Sequence, residues 1–254
     1  MVDSQYPGLE IQEETMCGFN VSRACVTSRQ AAAALGKSMG EYVTIRTGRL
    51  WEMVEPRKAG DCLAVYLRKY LRRYYGKNLL ICGLGNQNML EDSFGPRTAQ
   101  RIPAHILDGM DLQPRFSSVA VLAPGTSGQT NIGTLAHLAA MVKATDVACV
   151  LAIDACSSES LERLAATIQI SAGYLKIAGS GILLTQETLG VPVVGIGIPF
   201  VMQVETGRTL EYITREGISA DLNIAERIVA YAIAHMAYPK MSGHSLWAVL
   251  GRIW

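Results

Sequence analysis

Short, continuously apolar runs alternate with amphipathic stretches through the middle of the chain. Leu79-Leu80-Ile81-Cys82, Val119-Ala120-Val121-Leu122, Ala148 to Ile153 and Val191 to Ile196 are each strand-length and bounded by glycine, proline or aspartate. Between and after them, residues 94–107, 131–143, 157–166 and 222–237 carry helical patterns. Strands that are apolar on both faces, alternating with helices, predict an α/β fold. The expected form is a three-layer α/β/α sandwich with a mostly parallel central sheet.

Upstream the pattern is more local. Ser28, an alanine run from Ala31 to Ala34 and Gly36 read as cap, helix and stop. Tyr42-Val43-Thr44-Ile45 reads as a strand. Leu63, Tyr66, Leu67, Tyr70, Leu71 and Tyr74 recur every three or four residues, which predicts an amphipathic helix over 57–75 closed by Gly76. Residues 1–27 show little periodicity. The expected organisation is one domain over 1–254, with residues 1–50 an N-terminal extension packing on the core.

Composition narrows the function classes. Hydrophobic residues make up 49% of the 254-residue chain and charged ones 18%, which supplies a full core and argues against disorder. A formal net charge of +1 gives no electrostatic support for binding nucleic acid. The cluster Arg68, Lys69, Arg72 and Arg73 reads as a solvated helix face rather than an RNA stripe. The six cysteines form no CxxC pair and no disulfide framework, which favours a reducing cytoplasm. No signal peptide and no membrane-length apolar run is visible.

Parallel strands direct their following loops to one edge of the sheet, where open α/β sheets bind ligands. Three unusual segments fall there: Gly83-Leu84-Gly85-Asn86-Gln87-Asn88 through Asp92, Ala123 to Thr130, and Asp154-Ala155-Cys156. Gly83 and Gly85 begin a dinucleotide fingerprint, but Asn88 replaces its third glycine. No HExxH occurs, and His105, His137, His235 and His244 are scattered. Ser127 lacks a nucleophile elbow, and Cys156 has no histidine nearby in sequence. No metal and no cofactor is expected.

The aspartates remain. Asp92 and Asp154 each read as a helix cap or as a catalytic carboxylate. If both face one crevice about 4 Å apart, they repel by roughly 4 kcal/mol at an effective dielectric near 20, worth about three pKa units. One proton is then shared. The charged partner can deprotonate water while the protonated one hydrogen-bonds a carbonyl.

These segments resemble the bacterial germination protease family. The resemblance is carried in order by Ala34 to Ile45, Gly83 to Asn88 with Asp92 to Pro96, Ala123-Pro124-Gly125 with Gln129-Thr130, Ala152 to Ala155, Thr167 to Ser171, Gly179-Ser180-Gly181 and Glu187 to Val193. It implies an aspartate-dependent endopeptidase acting on small acid-soluble spore proteins in the spore core. It also implies a fold similar to hydrogenase maturation proteases, and Asp92 and Asp154 as the catalytic pair. Asn86, Gly125, Gln129 and Thr130 are the expected substrate-binding residues. Glu91 places a third carboxylate beside Asp92. The resemblance further implies a zymogen, with a removable leader within Met1 to Gly8, and a homo-oligomer, a tetramer being one form. The aromatic side of the 57–75 helix, Trp247 or Trp254 would supply its contacts. Two other readings are a maturation-type protease acting on a metal-containing precursor and a non-catalytic paralogue that binds spore proteins.

Overall fold

The computed structural model describes residues 6–103, 113–177, 180–206 and 209–251. Met1 to Gln5, His105, Gly179 and Trp254, each part of an expectation above, lie outside them, as do residues 104–107 of the helix expected over 94–107.

The chain opens with a hairpin, β1 (Leu9–Met16) and β2 (Phe19–Val26), where the sequence showed little periodicity. α1 (Arg29–Leu35) follows its local rules. Ser28 Oγ accepts from Ala31 N, and Gly36 closes the helix in the left-handed region at φ 58°. The same hydroxyl donates to Pro7 O at 2.8 Å, so one side chain caps α1 and ties down the preceding segment. Ser28→Ala should therefore cost about 1–2 kcal/mol in urea denaturation, near the upper end for a lost N-cap. An unchanged midpoint would show that the cap contributes nothing.

β3 (Gly40–Arg46) leads to α2 (Pro56–Leu71), then β4 (Asn78–Gly83) and α3 (Phe94–Arg101). β5 (Ser118–Leu122), the single-turn α4 (Ser127–Thr130) and α5 (Thr134–Thr145) come next, then β6 (Cys149–Ser158). β7 (Thr167–Ala172), β8 (Tyr174–Lys176), β9 (Leu183–Thr185) and α6 (Gln186–Leu189) precede the long β10 (Val193–Thr206). β11 (Thr209–Ile213), α7 (Ile218–Ala237) and α8 (Gly243–Leu250) close the described chain.

The main sheet runs β1-β2-β3-β7-β10-β6-β4-β5, with β11 paired to β10. β5, β4, β6 and β10 are mutually parallel and match the apolar runs of the sequence. The expected parallel character holds for these four. β1, β2, β3 and β7 pair antiparallel, so the sheet as a whole is mixed. Successive residues of a strand face opposite sides. Leu79, Ile81, Leu151, Ile153, Ile196 and Ile198 enter the core beneath α2 and α7. Leu80, Cys82, Val150, Ala152 and Val193 enter a second core with Leu138 and Val142 of α5. Helices therefore cover both faces, as the three-layer expectation required.

One expected helix is absent. Residues 155–158 pair with β10 from Ile198 to Met202, and only a 3-10 turn forms at Leu161–Arg163. Pro199 in β10 sits where the register shifts, the position at which a strand tolerates proline. The aromatic side of α2 is also assigned: Tyr66 and Tyr74 are buried in the main core. Trp247 lies under the Arg227 guanidinium at 4.1 Å and edge-on to Tyr231. Tyr66 and Tyr74 are thus taken up inside the chain, while Tyr70 and Trp247 remain half-buried. Among the described residues no helix is long and apolar enough to cross a membrane.

Candidate active site

β5, β4 and β6 are neighbours, so the segments after Leu122 and Gly83 and the residue Asp154 share one edge of the sheet. β4 stops at Gly83, while β6 runs on beyond it, and Leu84 N donates to Ile153 O at 2.8 Å. Asp154 thus stands just past the end of β4. By alternation it follows Val150 and Ala152 onto the face covered by α5. It is 2% exposed. It lies inside a strand, and the helix it was expected to cap does not exist, so that capping role is excluded.

The Asp92 segment doubles back on the first loop. A 3-10 turn at Leu90–Asp92 lies against β6 and β10 and feeds α3. The N-cap of α3 is Ser93, whose side chain makes no capping bond. The Asp92 carboxylate instead accepts from Asn86 N at 2.7 Å and folds the loop around itself. Burial raises the Asp92 pKa, and the Asn86 N–H opposes that shift by stabilising the charged form. Gly85 makes this return possible at φ 115°, since a Cβ there would stand 2.1 Å from Asp92 O.

The second loop reaches the first. Gln129 Nε2 donates to Asn86 Oδ1 at 2.6 Å, and Gln129 Oε1 accepts from Thr126 N at 3.1 Å. Asn86 Oδ1 also accepts from Asn88 N at 3.0 Å. Asn86 and Gln129, expected to bind substrate, are engaged with each other and brace the two loops. Thr130 is exposed, and its hydroxyl donates within its own turn to Thr126 O. Gly125 is half-buried at φ 71°, with Gln129 Oε1 and Thr130 beside it. Glu91 is half-buried in the turn that carries Asp92.

Two further side chains belong to this edge. Burial and the negative charge of Asp154 push the Cys156 thiol up to about 12, and the same two causes raise Cys82. Lys37, over the Tyr42 ring at 5.0 Å, couples electrostatically to Cys156. Its ammonium pKa is pushed down by burial first and then by Arg163. Reasoning from spacing passed over Lys37, although it falls inside the Ala34 to Ile45 block that carried the resemblance. Among the described residues no group of three or more His, Cys, Asp or Glu side chains is arranged to hold a metal ion.

A mixed α/β sheet with Asp92 and Asp154 beside the end of β4 defines the class: an α/β protein with two carboxylates at one edge of its sheet. Comparison with known proteins narrows it. The profile of the germination proteases, a peptidase family, matches residues 2–233. The chain is 34% identical over 228 residues to the germination protease of Caldanaerobacter subterraneus subsp. tengcongensis, covering 84% of this chain and 70% of that one. It is 30% identical to the germination protease of Priestia megaterium, covering 84% of this chain and 61% of that protein. The chain belongs to the germination protease family. It spans roughly three fifths to seven tenths of the length of these relatives. A NiFe hydrogenase maturation protease from Thermococcus kodakarensis superposes with a TM-score of 0.41 and 20% identity, over 67% of this chain and 97% of that one.

Proposed function

We propose that the protein is an endopeptidase that hydrolyses small acid-soluble spore proteins in the spore core, using Asp92 and Asp154 as its carboxylate pair. The observation that carries this reading is placement: both aspartates lie at the carboxyl edge of the adjacent strands β4 and β6, and neither caps a helix. One member of the pair holds the shared proton and donates a hydrogen bond to the scissile carbonyl. The charged partner then takes a proton from the attacking water.

The turn from Gly125 to Thr130, exposed from Ser127 onward, offers an extended substrate both backbone and hydroxyl groups. The brace between Gln129 and Asn86 positions the loop that holds Asp92. Gln129→Ala removes it at the surface, so stability should change by under about 1 kcal/mol while kcat/KM falls about tenfold. Equal kcat/KM in the variant would remove the bracing role.

The test of the function is cleavage of a purified small acid-soluble spore protein, with fragments read by mass spectrometry. Folded protein that binds this substrate yet never cleaves it would overturn the enzyme assignment in favour of a binding paralogue. Cleavage confined to a metal-containing precursor would favour the maturation-type activity. We also propose a homo-oligomer, with exposed Tyr212 and Ile213 on β11 as available apolar surface. Sedimentation showing only monomer at micromolar concentration would exclude it.

A further inference from the structure

The turn of the first hairpin contains a conformational anomaly. β1 and β2 are joined by the two residues Cys17 and Gly18, at φ 54° and 88°. A two-residue hairpin loop with both φ positive normally takes asparagine or aspartate followed by glycine. Cysteine gains nothing from the left-handed region, which disfavours any side chain lacking a local hydrogen bond. An outlier of this kind points to a constraint outside the turn.

The constraint is visible across the interface with α2. Cys17 is exposed to solvent and lies within electrostatic reach of the Cys62 thiol, which is fully buried on α2. A second contact fixes the same register: Tyr66 Oη donates to Glu14 Oε1 at 2.8 Å. Tyr66 lies one helical turn beyond Cys62, on the same face of α2. Glu14 and Cys17 belong to the same end of the hairpin. The Tyr66–Glu14 bond thus holds the hairpin tip on the strip of α2 that carries Cys62, within reach of Cys17.

We propose that Cys17 and Cys62 form a reversible disulfide that clamps the N-terminal hairpin to α2. The oxidant is a low-molecular-weight disulfide. The exposed Cys17 thiolate attacks it, forming a mixed disulfide and expelling one small thiolate. Cys62 then attacks the Cys17 sulfur, and a second small thiolate leaves. The two protons of the protein thiols pass to the two small thiolates, so one disulfide is consumed and one is made. Burial pushes the Cys62 thiol up to about 12, which makes Cys17 the entry point and the resolving step the slow one. A reducing thiol reverses the sequence. Protein disulfides in reducing compartments are generally of this transient, redox-sensing kind.

Incubating the full chain with oxidised glutathione and measuring its intact mass tests the clamp. The expected result is a loss of about 2 Da, mapped by non-reducing digestion to a peptide pair joining Cys17 and Cys62. The melting temperature should rise by about 5–10 °C, reversibly with dithiothreitol, because a long chain loop is closed. Cys17→Ser, a change at an exposed position, should fold normally and show neither the crosslink nor the shift. A persistent glutathione adduct on Cys17, no reaction, or a crosslink mapped to Cys25 would each overturn the proposal. None of these readouts depends on peptidase activity.

Discussion

Replacing Asp92 or Asp154 by asparagine should abolish peptide cleavage while leaving the fold intact. Asparagine keeps the size of the side chain and one acceptor oxygen, so Asn86 N retains a partner at position 92. What disappears is the titratable proton and the negative charge. Each single change should lower kcat by about 10⁴-fold or more, and the double change should add little, because groups acting as a unit are not additive. The stability of Asp92→Asn separates this from a folding defect. The folded-state pKa of Asp92 is raised, so its contribution to stability is fully present below the unfolded value, about 3.9, and is lost as pH rises through the folded value. Above that window burial of the charge is a cost that asparagine lacks. The Asp92→Asn protein should therefore be at least as stable as wild type near neutral pH, with a flatter stability profile in the acid range. Urea denaturation across pH alongside the cleavage assay checks both halves. Wild-type rates in either single variant would sink the carboxylate pair.

What the sequence reveals follows the range of the forces involved. α1 is legible because Ser28 and Gly36 act within a few residues of the helix they bound. The four parallel strands are legible because each contains a run free of polar side chains: Leu79 to Cys82, Val119 to Leu122, Cys149 to Ile153 and Val193 to Ile196. The β1–β2 hairpin is not, because its strands carry polar side chains on exposed positions such as Glu10, Gln12 and Glu13. Its long-range sheet partner, β3, is supplied by a later part of the chain.

The extension of β6 is the more instructive miss. Asp154-Ala155-Cys156-Ser157-Ser158 reads locally as a cap and a helix start, and serine and aspartate do favour that. The length of β10 overrides it: the strand continues past Gly197 and presents backbone partners for 155–158, so the ladder extends. The site was legible to the same degree. The sheet edge that Asp92 and Asp154 share is readable from the strand pattern, whereas Lys37, far away in sequence, couples to Cys156 only through the folded chain. The Asn86–Gln129 bond was not foreseen either, since both residues were read as facing substrate.

Gly95→Ala should be strongly damaging for a change of one methyl group. Gly95 is the second residue of α3, three positions after Asp92, where the helix is pressed against the end of β4 and the middle of β6. A Cβ there would meet Leu84 O at 2.2 Å, Ile153 O at 2.5 Å and Leu84 N at 2.6 Å. All three atoms are backbone, and Leu84 N and Ile153 O are already bonded to each other at 2.8 Å. No rotamer change can relieve the clash, so either α3 lifts away or the Leu84–Ile153 bond breaks. Ordinary overpacking costs about 1–3 kcal/mol, and contacts with fixed backbone on three sides should exceed that, reaching about 4 kcal/mol or more. Any protein that still folds would carry Asp92 on a displaced turn. Shifts near 1 Å at a reacting group cost about a hundredfold in rate. Denaturation midpoint and cleavage rate should therefore fall together in Gly95→Ala. An alanine variant matching wild type in both would show that the junction of β4, β6 and α3 is looser than this geometry requires.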